Sequence, residues 1–271
     1  MKINWFPGHM KKTMAEIREK LKNIDVVIYV LDSRAPISSI NPSLSKLTQD
    51  KPVLYVFNKI DLADEGRVRT LAQKYKSANS DYCLLNGTNA NSVKLIRQKL
   101  INLTKAKIDK MKNKGLRAVI RSIVVGVPNS GKSTLVNSLC GKAKAVTGNR
   151  AGVTKQTQWV SIGDNIELCD TPGTLYPNLE NQDVAKKLFF IGSIKDEVVA
   201  DNLELALELI AMLEKKYPKY LQNRYGDGRS LEEIAASRSF IISGGELDID
   251  RAACAVIDDF RKGRIGKITL D

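Results

Sequence analysis

Short, uninterrupted apolar runs alternate along the chain with stretches in which apolar residues recur every three or four positions. Met14, Ile17, Leu21 and Ile24 mark the first such stretch, so MKKTMAEIREKLKNI is predicted to be an amphipathic helix with lysines on its other faces. The run that follows, DVVIYVLDSRAP, is apolar until Ser, Arg and Pro stop it. A strand covered by helices on both faces has this pattern, because neither side of a buried parallel sheet meets water. The pattern returns in KPVLYVFNKIDLAD, SDYCLLNGTN and RAVIRSIVVGVPNSGKS, and more weakly in NIELCDTPG. Strands alternating with helices predict an α/β fold with a doubly wound, mostly parallel sheet.

Between about Lys94 and Arg121 a helix-like segment runs into a lysine-rich connector that ends at Gly115. From about Leu179 the strand-like runs fade and helical patterns such as NLELALELIAMLEKKYP and SLEEIAASR take over. This shift predicts a first domain over 1–178 and a smaller all-α domain over 179–271. Near the end, ELDIDRAACAVIDDF reads as a helix packed by Ala253, Val256, Ile257 and Phe260.

The 271 residues and 43% hydrophobic content fit a globular chain and change little. Charge changes more. The 43 Lys and Arg against 30 Asp and Glu leave +13, which favours a polyanionic partner through phosphate neutralisation and counterion release. No apolar run approaches the roughly 20 residues of a membrane span, and MKINWFPGHMKKTMAEI lacks the apolar core of a signal peptide. A cytoplasmic location is expected. Cys83, Cys140, Cys169 and Cys254 are scattered without metal-ligand spacing, so they read as reduced, mostly buried thiols.

Two motifs carry the chemistry. Gly126-Val127-Pro128-Asn129-Ser130-Gly131-Lys132-Ser133 fits G-x-x-x-x-G-K-[ST], follows the apolar run SIVV and opens into the helical STLVNSLC. Glycines there let backbone N–H groups approach phosphates, and a helix N-terminus adds a favourable dipole. The expected phosphate contacts are Asn129, Ser130, Gly131, Lys132, Ser133 and Thr134, with Ser133 reaching Mg²⁺. Asp170-Thr171-Pro172-Gly173 ends a later strand. Asp170 is placed to hold Mg²⁺ through water, and the Gly173 amide to sense a γ-phosphate. Thr154, with Thr157 as a weaker choice, is expected to bring its hydroxyl to Mg²⁺. Asn58-Lys59-Ile60-Asp61 follows the run VLYVF, at the carboxyl end of a strand where open sheets bind ligands. An Asp61 carboxylate accepts N–H bonds from N1 and N2 of guanine, which adenine cannot offer. The Lys59 stem covers the base plane, and Asn58 ties the loop.

In this company the motifs resemble the translation-factor-related class of GTPases, with Asn86-Gly87 where that class has its second base loop. The order is inverted, however: the base motif at 58–61 precedes the phosphate loop at 126–133. The chain therefore resembles circularly permuted P-loop GTPases of the ribosome biogenesis GTPase A family, a likeness that extends to Trp5-Phe6-Pro7-Gly8-His9-Met10 and to GGELDIDRAACAVIDDFRKGRIGKITLD. Permutation is tolerable because domain termini lie at the surface, so a connector can join the old ends.

The resemblance implies GTP/GDP as ligands, GTP hydrolysis, and a role in assembling the large ribosomal subunit with ribosomal RNA as the polyanion. Turnover is expected to be slow alone and stimulated by the particle. It implies catalysis by His9, the only histidine of the chain; the alternative is a packing histidine beside Trp5 and Phe6. Thr174 stands where Ras-like relatives carry a water-orienting Gln, so either another group positions the water or hydrolysis is simply slow. Asn129 matches the asparagine of GTPases that recruit K⁺; the alternative is a loop residue that merely shapes the turn. Lysines and arginines of the connector, with Arg261, Lys262, Arg264 and Lys267, are the candidate RNA contacts. No DNA partner and no oligomer are expected. Two readings stay open beside this one: a GTP-dependent RNA-binding protein with little turnover acting away from ribosomes, and a signalling GTPase at a membrane surface.

Overall fold

The structure, a computed structural model, describes residues 9–86, 90–140, 158–175, 181–198, 201–226 and 230–271. The first part reads α1 (His9–Leu21), β1 (Val26–Asp32), α2 (Pro42–Thr48), β2 (Val53–Asn58), α3 (Glu65–Gln73), β3 (Ser80–Leu84), α4 (Ala90–Leu103), α5 (Lys105–Asn113), β4 (Ile120–Val125), α6 (Lys132–Cys140), β5 (Gln158–Ser161) and β6 (Ile166–Asp170). Five helices follow: α7 (Gln182–Phe190), α8 (Asn202–Lys216), α9 (Pro218–Tyr225), α10 (Leu231–Ser237) and α11 (Ile249–Arg261).

The six strands form one sheet in the order β3-β2-β1-β4-β6-β5, parallel except for β5, which pairs antiparallel with β6. Alternate residues of each run face opposite sides, so both sides must be covered. On one side Val26, Ile28, Val30 and Val124 pack with Ile96 and Leu100 of α4 and Leu135, Val136 and Leu139 of α6. On the other, Val27, Tyr29, Leu31 and Ile123 pack with Ile17 and Leu21 of α1, Leu44 of α2 and Val68 of α3. The expected doubly wound sheet is thus present, and all seven residues of β1 are buried.

Helix starts follow local chemistry. Asn41 caps α2 by accepting from Ser43 N at 3.0 Å, with Pro42 in the first turn, and Ser230 with Glu233 forms a capping box on α10. The segment expected as helix plus connector divides into α4 and α5, which share a boundary at Thr104. The short edge strand β5 gave no apolar run to read.

The helices α7 to α11 share a core built on Phe189, Phe190, Leu205, Leu209, Ala253, Val256, Ile257 and Phe260. That core also takes in Ala35, Val127 and Leu175 from the loops after β1, β4 and β6, so the helices rest on the carboxyl-end loops of the sheet. The closing residues return to those loops: Leu270 N donates to Arg34 O at 2.7 Å and Ile268 N to Leu62 O at 3.1 Å. No helix among the described residues is long and apolar enough to cross a membrane. Of the cysteines, only Cys83 and Cys169 are buried; Cys140 is half-buried and Cys254 exposed, because Cys254 falls on the outer face of α11. All four are free, and burial pushes the Cys83 thiol up to about 12.

Candidate functional site

The strand order reverses direction between β1 and β4, which opens a crevice at the carboxyl ends where open α/β sheets bind ligands. The loop after β4 enters it with three residues at positive φ: Gly126 (150°), Asn129 (57°) and Gly131 (91°). A Cβ on Gly126 would fall 2.3 Å from Val30 O, so only glycine fits there. Ser130 Oγ donates to Val127 O at 2.9 Å and closes the turn.

Lys132 opens α6 and is buried, donating to Val127 O at 2.8 Å. Burial, only partly offset by the Asp170 carboxylate and reinforced by Lys59, lowers its ammonium to about 8. Ser133 Oγ donates to Asp170 Oδ2 at 3.3 Å, which brings a hydroxyl and a carboxylate from neighbouring elements to one point. Gly173 touches the same loop. A Cβ there would lie 2.6 Å from Pro128 Cα and 2.7 Å from Pro128 N. Thr174 is buried, donates N–H to Gly126 O at 3.0 Å, and leaves Oγ1 without a partner among the described residues. It does not face solvent as a water-orienting side chain would.

The loop after β2 lies beside the loop after β4. Asn58 Nδ2 donates to Ser130 O at 2.8 Å, and Lys59 Nζ donates to Asn129 O at 2.5 Å. Lys59 holds φ 57°, a left-handed conformation that turns the chain sharply into a short 3-10 turn, Ile60–Leu62, and leaves Asp61 exposed. Asn86 follows β3 at the same end of the sheet, its carbonyl accepting from Ser92 Oγ at 3.3 Å, while Leu85 O accepts from Ile60 N at 3.2 Å. Base-reading candidates from two strands are therefore neighbours. Gly87, Thr154 and Thr157 lie outside the described residues, as does the His9 side chain, of which only the backbone at the start of α1 is described.

Two features escaped the sequence reading. Asp32, at the end of β1, is fully buried and accepts from Lys59 Nζ at 2.9 Å and from Arg34 Nη2 at 2.6 Å. Burial pushes its carboxyl up, but the two adjacent cations outweigh this and hold it well below the usual carboxylate range. An acid ending an apolar run and followed two residues later by arginine was the available signal. The second feature is the turn after α7, which reaches the phosphate loop: Asn129 Nδ2 donates to Gly192 O and Ser193 Oγ to Pro128 O, each at 2.7 Å.

The basic residues named as RNA contacts divide. Arg261 is spent on Phe189 O, Phe190 O and Asp196, and Arg264 on Asp258 and Asp259, so neither is a bare surface cation. Lys262 pairs with Asp258 at 2.8 Å. Lys267 is exposed, as are Lys105, Lys110, Lys112, Lys114 and Arg117 on and after α5.

The family described as 50S ribosome-binding GTPase matches residues 121–223, a span that begins in β4 and contains the phosphate loop. A Bacillus cereus protein named Ribosome biogenesis GTPase A is 39% identical and covers 100% of this chain and 94% of its own length. A GNP-bound structure of YlqF from Thermotoga maritima superposes with TM-score 0.65 at 25% identity, covering 96% of this chain and 97% of that one. A GDP-bound structure of TM YlqF shares the fold with TM-score 0.67 at 24% identity, covering 94% and 98%. End-to-end similarity at this level, on a sheet whose base motif precedes its phosphate loop, means that the chain belongs to the ribosome biogenesis GTPase A family of circularly permuted GTPases.

Proposed function

We propose that this chain is a GTP-binding and GTP-hydrolysing assembly factor for the large ribosomal subunit, one that leaves the particle when its γ-phosphate switch reports to the helical segment 179–271. The observation that carries the reading is the lock between the two loops, Asn58 on Ser130 O and Lys59 on Asn129 O, which sets a guanine-reading acid beside a phosphate cradle. In this reading Asp61 accepts from guanine N1 and N2, Lys59 covers the base, and Ile60 holds Asp61 in its turn, with Asn86 and Gly87 closing the other side. Asn129 to Thr134 offer N–H groups to the phosphates, and Lys132 meets them with its ammonium.

Hydroxyl and carboxylate oxygens are the hard donors that Mg²⁺ takes, and the approach of Ser133 to Asp170 fits that ion. Ser133 and Thr154 would hold it directly and Asp170 through water; when bound it supplies positive charge at the terminal phosphates. The Gly173 N–H senses the γ-phosphate. Because Leu175 packs in the core shared by α7 to α11 and Ser193 Oγ donates to Pro128 O, movement there would reach the helices.

With Thr174 buried, water positioning falls to another group, and His9 takes that role with an imidazole suited to proton exchange near neutral pH. In this reading K⁺ is met by the Asn129 amide oxygen, as in the GTPases whose asparagine it matches, while its nitrogen donates to Gly192 O. Ribosomal RNA is the expected polyanion, met by the exposed cations on and after α5 in the cytoplasm. The matched family description and the relatives' names support the ribosomal partner. GTP turnover in K⁺ buffer, with and without large subunits and with Na⁺ and ATP as controls, tests the proposal. Stimulation by the subunit that is lost in Na⁺ and absent with ATP is the expected result. GTP binding without stimulation would move the partner elsewhere.

A further inference from the structure

Arg34 lies outside both nucleotide motifs, yet it is 2% exposed, and its guanidinium joins the end of β1 to the ends of two distant helices. Nε donates to Asp32 Oδ1 at 2.9 Å and Nη2 to Asp32 Oδ2 at 2.6 Å. Nη2 also donates to Ile191 O at 3.0 Å, and Nη1 to Arg261 O at 2.9 Å. Ile191 caps the carboxyl end of α7 and Arg261 is the last residue of α11, so one guanidinium meets the negative ends of two helix dipoles. On the opposite side, Asp32 Oδ2 holds Lys59 Nζ at 2.9 Å. A continuous line of charge-assisted hydrogen bonds therefore runs from the base-covering lysine to the ends of two helices. Side-chain exposures of 3% for Arg34, 0% for Asp32 and 25% for Lys59 leave little room for solvent to replace a lost member.

We propose that Arg34 is a positioning residue for guanine recognition. Through Asp32 it fixes Lys59 over the base, and it does so while α7 and α11 are docked, which links base affinity to the placement of the helices. The inference rests on the reading of Asn58–Asp61 as the guanine loop. Linkage is reciprocal, so nucleotide that tightens the Lys59–Asp32 pair also tightens the two helix ends. A mere helix cap would behave otherwise: its loss would lower stability and leave base discrimination intact in whatever remained folded.

The test compares GDP with inosine diphosphate, which lacks the N2 amine, by calorimetric titration of the full chain. In Arg34→Gln, with folding checked by circular dichroism, GDP affinity should fall at least about tenfold, and the GDP preference over inosine diphosphate should shrink at least about threefold. Arg34→Lys, which keeps the charge but reaches fewer partners, should fall between the two. In the unmodified chain, GDP should slow amide exchange at Ile191, Gly192, Lys262 and Gly263. An unchanged nucleotide preference in folded Arg34→Gln overturns the proposal. So does GDP-independent exchange at both helix ends in a chain that binds GDP, a measurement that decides the matter even if the variant fails to fold. Failure of the unmodified chain to bind GDP would instead overturn the guanine-loop reading.

Discussion

Asn58 Nδ2 occupies the space that any side chain on Gly131 would need: a Cβ there would fall 2.2 Å from it. The absence of a side chain at one loop and the presence of an amide at the other are one feature, because that amide reaches Ser130 O at 2.8 Å only over a glycine. Asn58→Ala removes the buried bond to Ser130 O, a loss of about 1–3 kcal/mol, and should raise the GDP dissociation constant roughly tenfold to a hundredfold. Gly131→Ala, strained at φ 91° as well as crowded, should lose measurable binding. Titration with GDP checks both, and wild-type affinity in Asn58→Ala would refute the role of the lock.

Gly173 is required for a different reason. Its φ is ordinary, and the obstacle is the Pro128 backbone, 2.6 Å from where a Cβ would stand. Backbone cannot rotate away as a side chain can, so Gly173→Ala must push the loop after β6 off the phosphate loop. GDP affinity should stay within about threefold, while affinity for a non-hydrolysable GTP analogue drops about tenfold or more, since only the latter needs the Gly173 N–H. Equal losses for both nucleotides would remove Gly173 from γ-phosphate sensing.

Thr174→Val separates packing from chemistry. The Thr174 hydroxyl is buried with no partner among the described residues, and an unpaired buried hydroxyl costs about 1–3 kcal/mol. The near-isosteric valine should raise Tm by a few degrees and leave GTP turnover unchanged. A large fall in turnover would return the hydroxyl to the reaction.

The parallel sheet was legible because its strands are buried on both faces and so read as unbroken apolar runs, and the two loops that meet through Asn58 and Lys59 stood out because their glycines and polar residues stand at those runs' ends. What stayed hidden depends on distance. Nothing local to Arg34 reveals that Ile191 and Arg261, 157 and 227 positions away, present carbonyls to it. The same holds for Asn129 and Gly192, 63 positions apart. The four-residue strand β5 was missed because an edge strand carries neither a buried run nor a clean alternation. Arg261 and Arg264 were read as surface charge for RNA because a sequence shows a cation but not the carbonyls and carboxylates that take it up.

Acid stability follows from two buried carboxylates. Burial pushes Asp259 up, yet hydrogen bonds from Arg224, Arg264 and Tyr225 outweigh it and hold its carboxyl below the usual carboxylate range; Arg34 and Lys59 do the same for Asp32. A carboxyl whose folded value is depressed binds fewer protons in the folded state, so its stabilisation is complete above its unfolded value and is lost as pH falls toward the folded one. Thermal melts should therefore show Tm steady from pH 7 to about 5 and falling steeply below about 4. Asp259→Asn should lower Tm at pH 7 and flatten that acid slope. An unaltered slope in the variant would contradict the assignment.

Lys132 supplies the opposite pH dependence. Burial lowers its ammonium to about 8 against the partial help of Asp170, so above that value the empty site holds a neutral amine. Folding alone is eased by this: between about 8 and 10.5 the unfolded chain binds the extra proton, and the penalty of the buried charge disappears as pH rises. Nucleotide phosphates reverse the balance, because two or more negative charges at hydrogen-bond distance restore the ammonium. GDP binding at pH 8.5 must then take up a proton, more than about half of one per site, and affinity should decline as pH rises from about 8 toward 10. Calorimetry in two buffers of different ionisation enthalpy reads the uptake directly. In Lys132→Met it should vanish together with most of the affinity. No uptake by the unmodified chain at pH 8.5 would mean either that the amine is already charged in the empty site or that the phosphates do not reach it, and comparison with uptake at pH 9.5 separates the two.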